Sequence, residues 1–193
     1  PGLGNDSRAT GEDTSYWNLG GGVVAVTRSG HPRWVFLATG GGSPVLSRGH
    51  VLFAAGSYLY AINADGADAG HAAWRAAIGA AGAATGGPSL AVGPDGTAYI
   101  PASDGFLYAI APNGLRRWTF RAPGPPRGAE PLLFSPTVGP DGTVYLDSFA
   151  NGHGMLYALT PAGRLRWSLA VPAGSDLARG SDGTVYAATH LLV

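Results

Sequence analysis

The sequence predicts an all-β protein, a β-propeller of four-stranded antiparallel blades with about four repeats present. Three observations carry that prediction: glycine and proline are abundant, two different hairpin patterns alternate along the chain, and the pair returns at a blade-sized interval. Of 193 residues, 32 are glycine and 15 proline. Both residue types oppose helix interiors and supply turns. Only 12% of residues are charged while 45% are hydrophobic, and the net charge is +0. Such a chain has enough apolar surface to bury, unlike a disordered polymer of similar glycine content.

The first hairpin pattern ends each time on a tryptophan. It reads Val23-Val24-Ala25-Val26 through Gly30 to Trp34, then Leu59-Tyr60-Ala61-Ile62 to Trp74. It returns as Leu107-Tyr108-Ala109-Ile110 through Gly114 to Trp118, and as Leu156-Tyr157-Ala158-Leu159 through Gly163 to Trp167. Three copies align without a gap, and the second is read as carrying four extra residues between Gly66 and Trp74. An apolar run, a glycine turn and a second run carrying Arg-Trp or its variant make a strand–turn–strand unit.

The second pattern lies between copies of the first. It appears as Ser43 to Phe53, Pro88 to Tyr99, Ser135 to Tyr145 and Asp176 to Tyr186, the last three turning on Asp95-Gly96, Asp141-Gly142 and Asp182-Gly183. Proline presets φ, aspartate bonds the nearby backbone and glycine accepts φ > 0, so these are hairpin turns as well. Two hairpins per repeat give four strands. The tryptophans are spaced by 40 (34 to 74), 44 (74 to 118) and 49 (118 to 167) residues, the length of a propeller blade.

Residues 1–22 are assigned to an N-terminal extension or the end of a preceding blade, and 23–193 to the repeats. The blade hairpins fall near 23–36, 43–76, 87–120, 135–169 and 176–193. Residues 187–193 align with Ala54 to Tyr60, placing the chain's end in the third strand of a further blade. Two arrangements follow: membership of a longer ring, the favoured one, or four repeats closing with the hairpin at 23–36 completing the sheet begun at 176–189. An open sheet edge also predicts self-association or neighbouring blades there.

The repeat resembles the PQQ-like, quinoprotein-type β-propeller family over roughly residues 23–193. The resemblance is closer to its non-catalytic branch of outer-membrane assembly lipoproteins than to the quinoprotein dehydrogenases. It implies a ring of seven or eight blades. It implies that Trp34, Trp74, Trp118 and Trp167 close their blades against a glycine peptide of the next. It further implies a bacterial, extracytoplasmic protein (periplasmic, outer-membrane-associated or at the cell surface) that binds protein partners as a scaffold. The enzymes of the family carry an aspartate where this chain has Thr27, Asn63, Ala111 and Thr160. They also commonly use adjacent cysteines, of which this chain has none. No cofactor is therefore expected. PQQ with calcium belongs to the alternative reading, a fragment of a quinoprotein oxidoreductase, and a carbohydrate-binding propeller is the third.

The remaining candidates are few. Gly96, Gly142 and Gly183 are read as structural turn glycines, and their aspartates as turn formers rather than calcium ligands. The five histidines lack metal-ligand spacing. Two segments leave the template, Ala67 to His71 and Asn151 to Gly154, and insertions on repeat scaffolds often face partners. Asp68, His71, Asn151 and His153 are accordingly the candidate loop contacts. Twelve arginines, with no lysine, balance twelve acids and form no basic face, so nucleic acid is not an expected partner. No apolar run reaches the roughly 18 residues of a membrane span. Pro1 opens no signal-peptide pattern, so any export signal is expected outside this chain.

Overall fold

A computed structural model describes residues 8–10, 13–79, 90–123, 131–171, 175–179 and 184–189. The chain divides into two units, Pro1–Leu90 and Ala91–Val193. The first unit holds two four-stranded antiparallel sheets. One contains β1 (Arg8–Thr10), β2 (Thr14–Asn18), β3 (Gly22–Thr27) and β4 (Pro32–Leu37), paired in chain order. The next contains β5 (Val45–Ser47), β6 (His50–Ala55), β7 (Tyr58–Asn63) and β8 (Ala72–Ala77), again in chain order.

The second unit repeats the design. Its first sheet contains β9 (Ala91–Val92), β10 (Ala98–Pro101), β11 (Phe106–Ile110) and β12 (Arg116–Arg121). The following sheet contains β13 (Leu132–Leu133), β14 (Thr137–Val138), β15 (Val144–Ala150), β16 (His153–Leu159) and β17 (Leu165–Val171). Here the inner strand is broken into β13 and β14, both pairing β15. Finally β18 (Ser175–Arg179) and β19 (Val185–Thr189) form a two-stranded ladder, with β18 contacting β14 and β15.

The all-β blade architecture thus agrees with the expectation from composition and repeat. The N-terminal boundary differs. Residues 14–18 pair with β3 from Thr14↔Thr27 to Asn18↔Val23, so the first sheet begins well before residue 23 and owns its inner strands. The hairpin at 23–36 is thereby already completed by β1 and β2. Trp17, outside the tryptophan repeat, lies on β2 opposite Val24. Gly183 and residues 190–193 lie outside the described residues.

Each unit buries its own core between consecutive sheets. In the first, Tyr16 and Val23 pack with Val51, Phe53 and Ile62 from the neighbouring sheet. In the second, Tyr99 and Leu107 pack with Leu146, Tyr157 and Leu159. Alternate residues of each middle strand enter these cores and those between them are largely buried on the other face, so β6, β10 and β11 read as nearly continuous apolar runs.

The turn glycines are required where the backbone enters the left-handed region. Gly142 has φ +76°, and a Cβ built there would lie 2.9 Å from Pro161 Cγ. Gly142→Val is therefore expected to cost about 1–3 kcal/mol, read as a lowered urea midpoint. An unchanged midpoint would mean the turn adopts another geometry.

Candidate functional site

The geometry that recurs is a docked tryptophan. In every sheet with a third–fourth strand hairpin, the tryptophan stands opposite an alanine: Ala25↔Trp34, Ala61↔Trp74, Ala109↔Trp118 and Ala158↔Trp167. All four alanines are buried. Directly opposite side chains nearly touch, so the small alanine leaves room for the indole. The register slips immediately after each alanine, a bulge that tightens the local twist before the glycine turn. The second strand contributes a ring to the same row. Tyr16 lies 5.6 Å from Trp34, Tyr99 5.6 Å from Trp118 and Tyr145 6.1 Å from Trp167. Leu52 holds that place opposite Ala61.

The other side of the indole meets the next sheet. Trp34 donates its Nε1–H to the Ala64 carbonyl at 3.1 Å. Trp118 donates to the Pro161 carbonyl at 2.9 Å. Beneath the rings lie Gly70 and Gly163, where an added Cβ would fall 2.8 Å from Trp34 and 2.6 Å from Trp118. Only glycine permits that approach. Trp74 is half-buried, and Trp167 is 43% exposed.

These contacts shift the alignment of the second copy. Asn63 N–H bonds the His71 carbonyl and Gly70 N–H the Asn63 carbonyl, as Ala111 bonds Leu115 and Gly114 bonds Ala111. The template glycine is thus Gly70 rather than Gly66, and the four extra residues precede it. The sequence offered two glycines, and only the hydrogen-bond register chooses between them.

The arginine before the tryptophan adds an ion pair. Arg117 meets Asp95 Oδ2, and Arg166 meets Asp141 Oδ2 at 3.4 Å. Arg33 instead reaches Asp65 at 2.7 Å and the Thr14 hydroxyl at 2.9 Å. These pairs are substantially exposed and individually worth little. The turn aspartates are held more firmly by their threonines. Asp95 accepts the Thr97 N–H and hydroxyl at 3.0 and 2.8 Å, and Asp141 accepts those of Thr143 at 3.0 and 2.6 Å. At Asp95, partial burial pushes the carboxyl pKa up, but the bonds from Thr97 and Arg117 outweigh it and the net direction is down. At Asp141 the Thr143 bonds lower it outright. Burial raises the Tyr99 phenol, and Asp95 adds to that rise.

The candidate contact residues occupy two separate places. Asp68 and His71 are exposed in the β7–β8 turn, where the Asp68 carbonyl accepts the His71 N–H at 3.0 Å. Asn151 and His153 are exposed at the β15–β16 turn. There Asn151 and Gly152 have φ +51° and +83° between the paired Ala150 and His153, a two-residue type I′ hairpin. Relative to the β6–β7 hairpin, which closes at Ala55↔Tyr58, this departure lengthens both strands instead of forming a loop. The two pairs belong to different units and to opposite ends of their sheets.

Sequence reasoning missed an open cleft of about 480 Å³ at the β3–β4 end of the first sheet, lined by Asp13, Thr14, Thr27, Arg28, Ser29 and Arg33. The signal was Arg28, which stands where the other copies carry Ala64, Pro112 and Pro161. It also missed Asp147, buried beside Ser148 where the equivalent strands carry Ala54 and Pro101. Among the described residues no three of His, Cys, Asp and Glu come together to hold a metal ion. No helix of the described residues is long and apolar enough to cross a membrane.

Four-stranded antiparallel blades, docked within each unit by an indole over a glycine turn, define a β-propeller of the PQQ-like class. The chain belongs to the family of outer membrane protein assembly factor BamB, whose profile matches residues 19–190. Solved structures share the fold. BamB from Moraxella catarrhalis aligns at 19% identity and TM-score 0.65, covering 95% of this chain and 60% of that one. The chain thus spans about 60% of the length of that BamB structure. A protein of unknown function from Bacteroides caccae aligns at 18% identity and TM-score 0.60, covering 93% of this chain and 68% of that one. The WD40 β-propeller domain of Doa1 aligns at 11% identity and TM-score 0.52, covering 72% and 45%. A comparison with curated proteins returns no match.

Two outcomes test this geometry. Trp118→Ala is expected to cost about 3 kcal/mol, because it removes a half-buried ring packed on Tyr99 and over Gly163. Trp167→Ala, at an open face, is expected to cost under about 1 kcal/mol; urea unfolding of the two variants checks the contrast. The lowered carboxyl pKa values give stability that is full above the unfolded aspartate range and lost as pH falls through the folded values. Between about pH 5 and pH 2, the melting temperature of Asp95→Asn/Asp141→Asn should therefore fall less steeply than that of the parent.

Proposed function

We propose that this protein is a non-catalytic scaffold that works outside the cytoplasm, associated with the outer membrane, and holds protein partners during outer membrane protein assembly. The observation that carries this reading is the family match across residues 19–190. The geometry supports it in a second way. The repeat residues spend their side chains on docking blades to one another, and what varies between copies is placed on exposed turns at Asp68, His71, Asn151 and His153. Sheets that differ chiefly in their turns are suited to presenting contacts rather than to assembling a reaction centre.

A photo-crosslinking amino acid at position 71 or 153, introduced in the cell of origin, is expected to give discrete adducts with envelope proteins. Fractionation is expected to find the protein with the membrane envelope. A cytosolic protein without adducts would overturn the proposal. A visible-absorbance shift on adding PQQ and calcium would overturn its non-catalytic part.

A further inference from the structure

The open cleft at the β3–β4 end of the first sheet holds one cation and one anion that make no ion pair with each other. Thr14 and Thr27 reach it from β2 and β3, on the side of the sheet that carries Tyr16, Val23 and Ala25 into the core with the second sheet. Arg33 closes one wall. Its Nη1 donates to the Thr14 hydroxyl at 2.9 Å and to Asp65 of the β7–β8 turn at 2.7 Å, so its charge is already met. Arg28 and Asp13 line the same space and are exposed. Neither has an ion-pair partner among the described residues.

That separation is notable because the two residues are neighbours through the backbone, where the Arg28 N–H donates to the Asp13 carbonyl at 2.9 Å. Both also leave the repeat at the same point. By register Arg28 stands where the other sheets carry Ala64, Pro112 and Pro161, and Asp13 where they carry Gly49, Gly96 and Gly142. The turns that dock an indole, at Gly70 and Gly163, are built without a charge at either place. Packing of one blade on another therefore does not account for this pair.

Hydroxyls furnish the rest of the cleft. Thr27 Oγ1 accepts the His31 N–H at 3.0 Å, and Ser29 Oγ lies 3.0 Å from both Thr27 Oγ1 and His31 Nδ1. This network fixes the Ser29 hydroxyl beside Arg28 at the tip of the turn, where the other sheets have Asp65, Asn113 and Ala162. A guanidinium next to a hydroxyl suits the oxygens of a carboxylate or phosphate, and a carboxylate suits an ammonium. At about 480 Å³ the cleft has the size of a small-ligand site. We propose that it binds a small zwitterion, the oxyanion held by the Arg28 guanidinium and the Ser29 hydroxyl and the ammonium by the Asp13 carboxylate. An α-amino acid and an amino-phosphate headgroup share that chemistry. The assignment goes beyond the scaffold reading and does not rest on it.

Glycine and phosphoethanolamine are the probes, each titrated at constant ionic strength into the isotopically labelled full chain and followed through the Arg28 side-chain N–H and the Ser29 amide. Saturable shifts at both groups are expected with at least one probe. Acetate, phosphate and methylammonium, which carry one charged end each, should bind at least roughly tenfold more weakly than the zwitterion. Arg28→Gln and Asp13→Asn should each weaken binding about tenfold or more and leave the melting temperature unchanged, since both side chains are exposed. Acetate or phosphate binding as tightly as its zwitterion would reduce the cleft to an anion site and overturn the proposal. So would shifts that sodium chloride alone reproduces, or the absence of saturable shifts with both probes. A preference for glycine supports the proposal with an amino acid as the source, and a preference for phosphoethanolamine supports it with a headgroup. If a variant fails to fold, the comparison of whole and half probes on the parent still decides. None of these outcomes touches the crosslinking at positions 71 and 153, which tests the scaffold itself.

Discussion

The indole laid over a glycine turn is the contact on which the rest of the structure depends. A four-stranded sheet with two apolar faces cannot stand alone in water, so each must be covered by its neighbours. Trp34 and Trp118 fix where the neighbour sits. The Nε1–H to the Ala64 or Pro161 carbonyl sets the height of the ring, and the missing side chain at Gly70 or Gly163 sets its depth. Area burial alone would let two sheets slide. A directional bond at the rim together with a steric floor removes that freedom.

The same contact explains residues that look unrelated in the sequence. The alanine of Leu-Tyr-Ala-Ile is small because the tryptophan stands opposite it, as at Ala61↔Trp74 and Ala109↔Trp118. The tyrosine after Asp-Gly-Thr closes the row on the second strand, as Tyr99 does against Trp118. The aspartate of that turn is engaged by Thr97 and Arg117, so its charge holds the hairpin and the strand beside it. What reads as a string of short motifs is one row of side chains crossing a sheet.

That row also shows what was legible beforehand. The two hairpins, their turns and their alternation could be read because each repeated with its polar and apolar positions in phase. The role of the tryptophans came from resemblance, and the contacts of Trp34 and Trp118 supply its physical basis. Single departures were harder. Trp17 has no counterpart in the tryptophan repeat and found its place only through pairing with Val24. The Asp65 to Gly70 segment contains two glycines, and the choice between them is made by Asn63, whose carbonyl accepts the Gly70 N–H. Asn151-Gly152 is a strong hairpin signal, yet it was read as an interruption because its strands run beyond the template.

The departures fall on features that docking leaves free. Docking constrains the inner and facing side chains of a blade and the turn beneath the indole. The β15–β16 hairpin lengthens at the end away from the Pro161–Gly163 turn, where no indole must be seated. The β7–β8 turn lengthens too, but its extra residues precede Gly70, so the carbonyl of Ala64 and the floor under Trp34 are both kept. Arg28 changes the side chain of the β3–β4 turn without altering the hydrogen bonds that this turn shares with the Gly70 and Gly163 turns. Variation is tolerated wherever the backbone of the dock survives. That is how a contact that recurs along the chain leaves the turns free to vary.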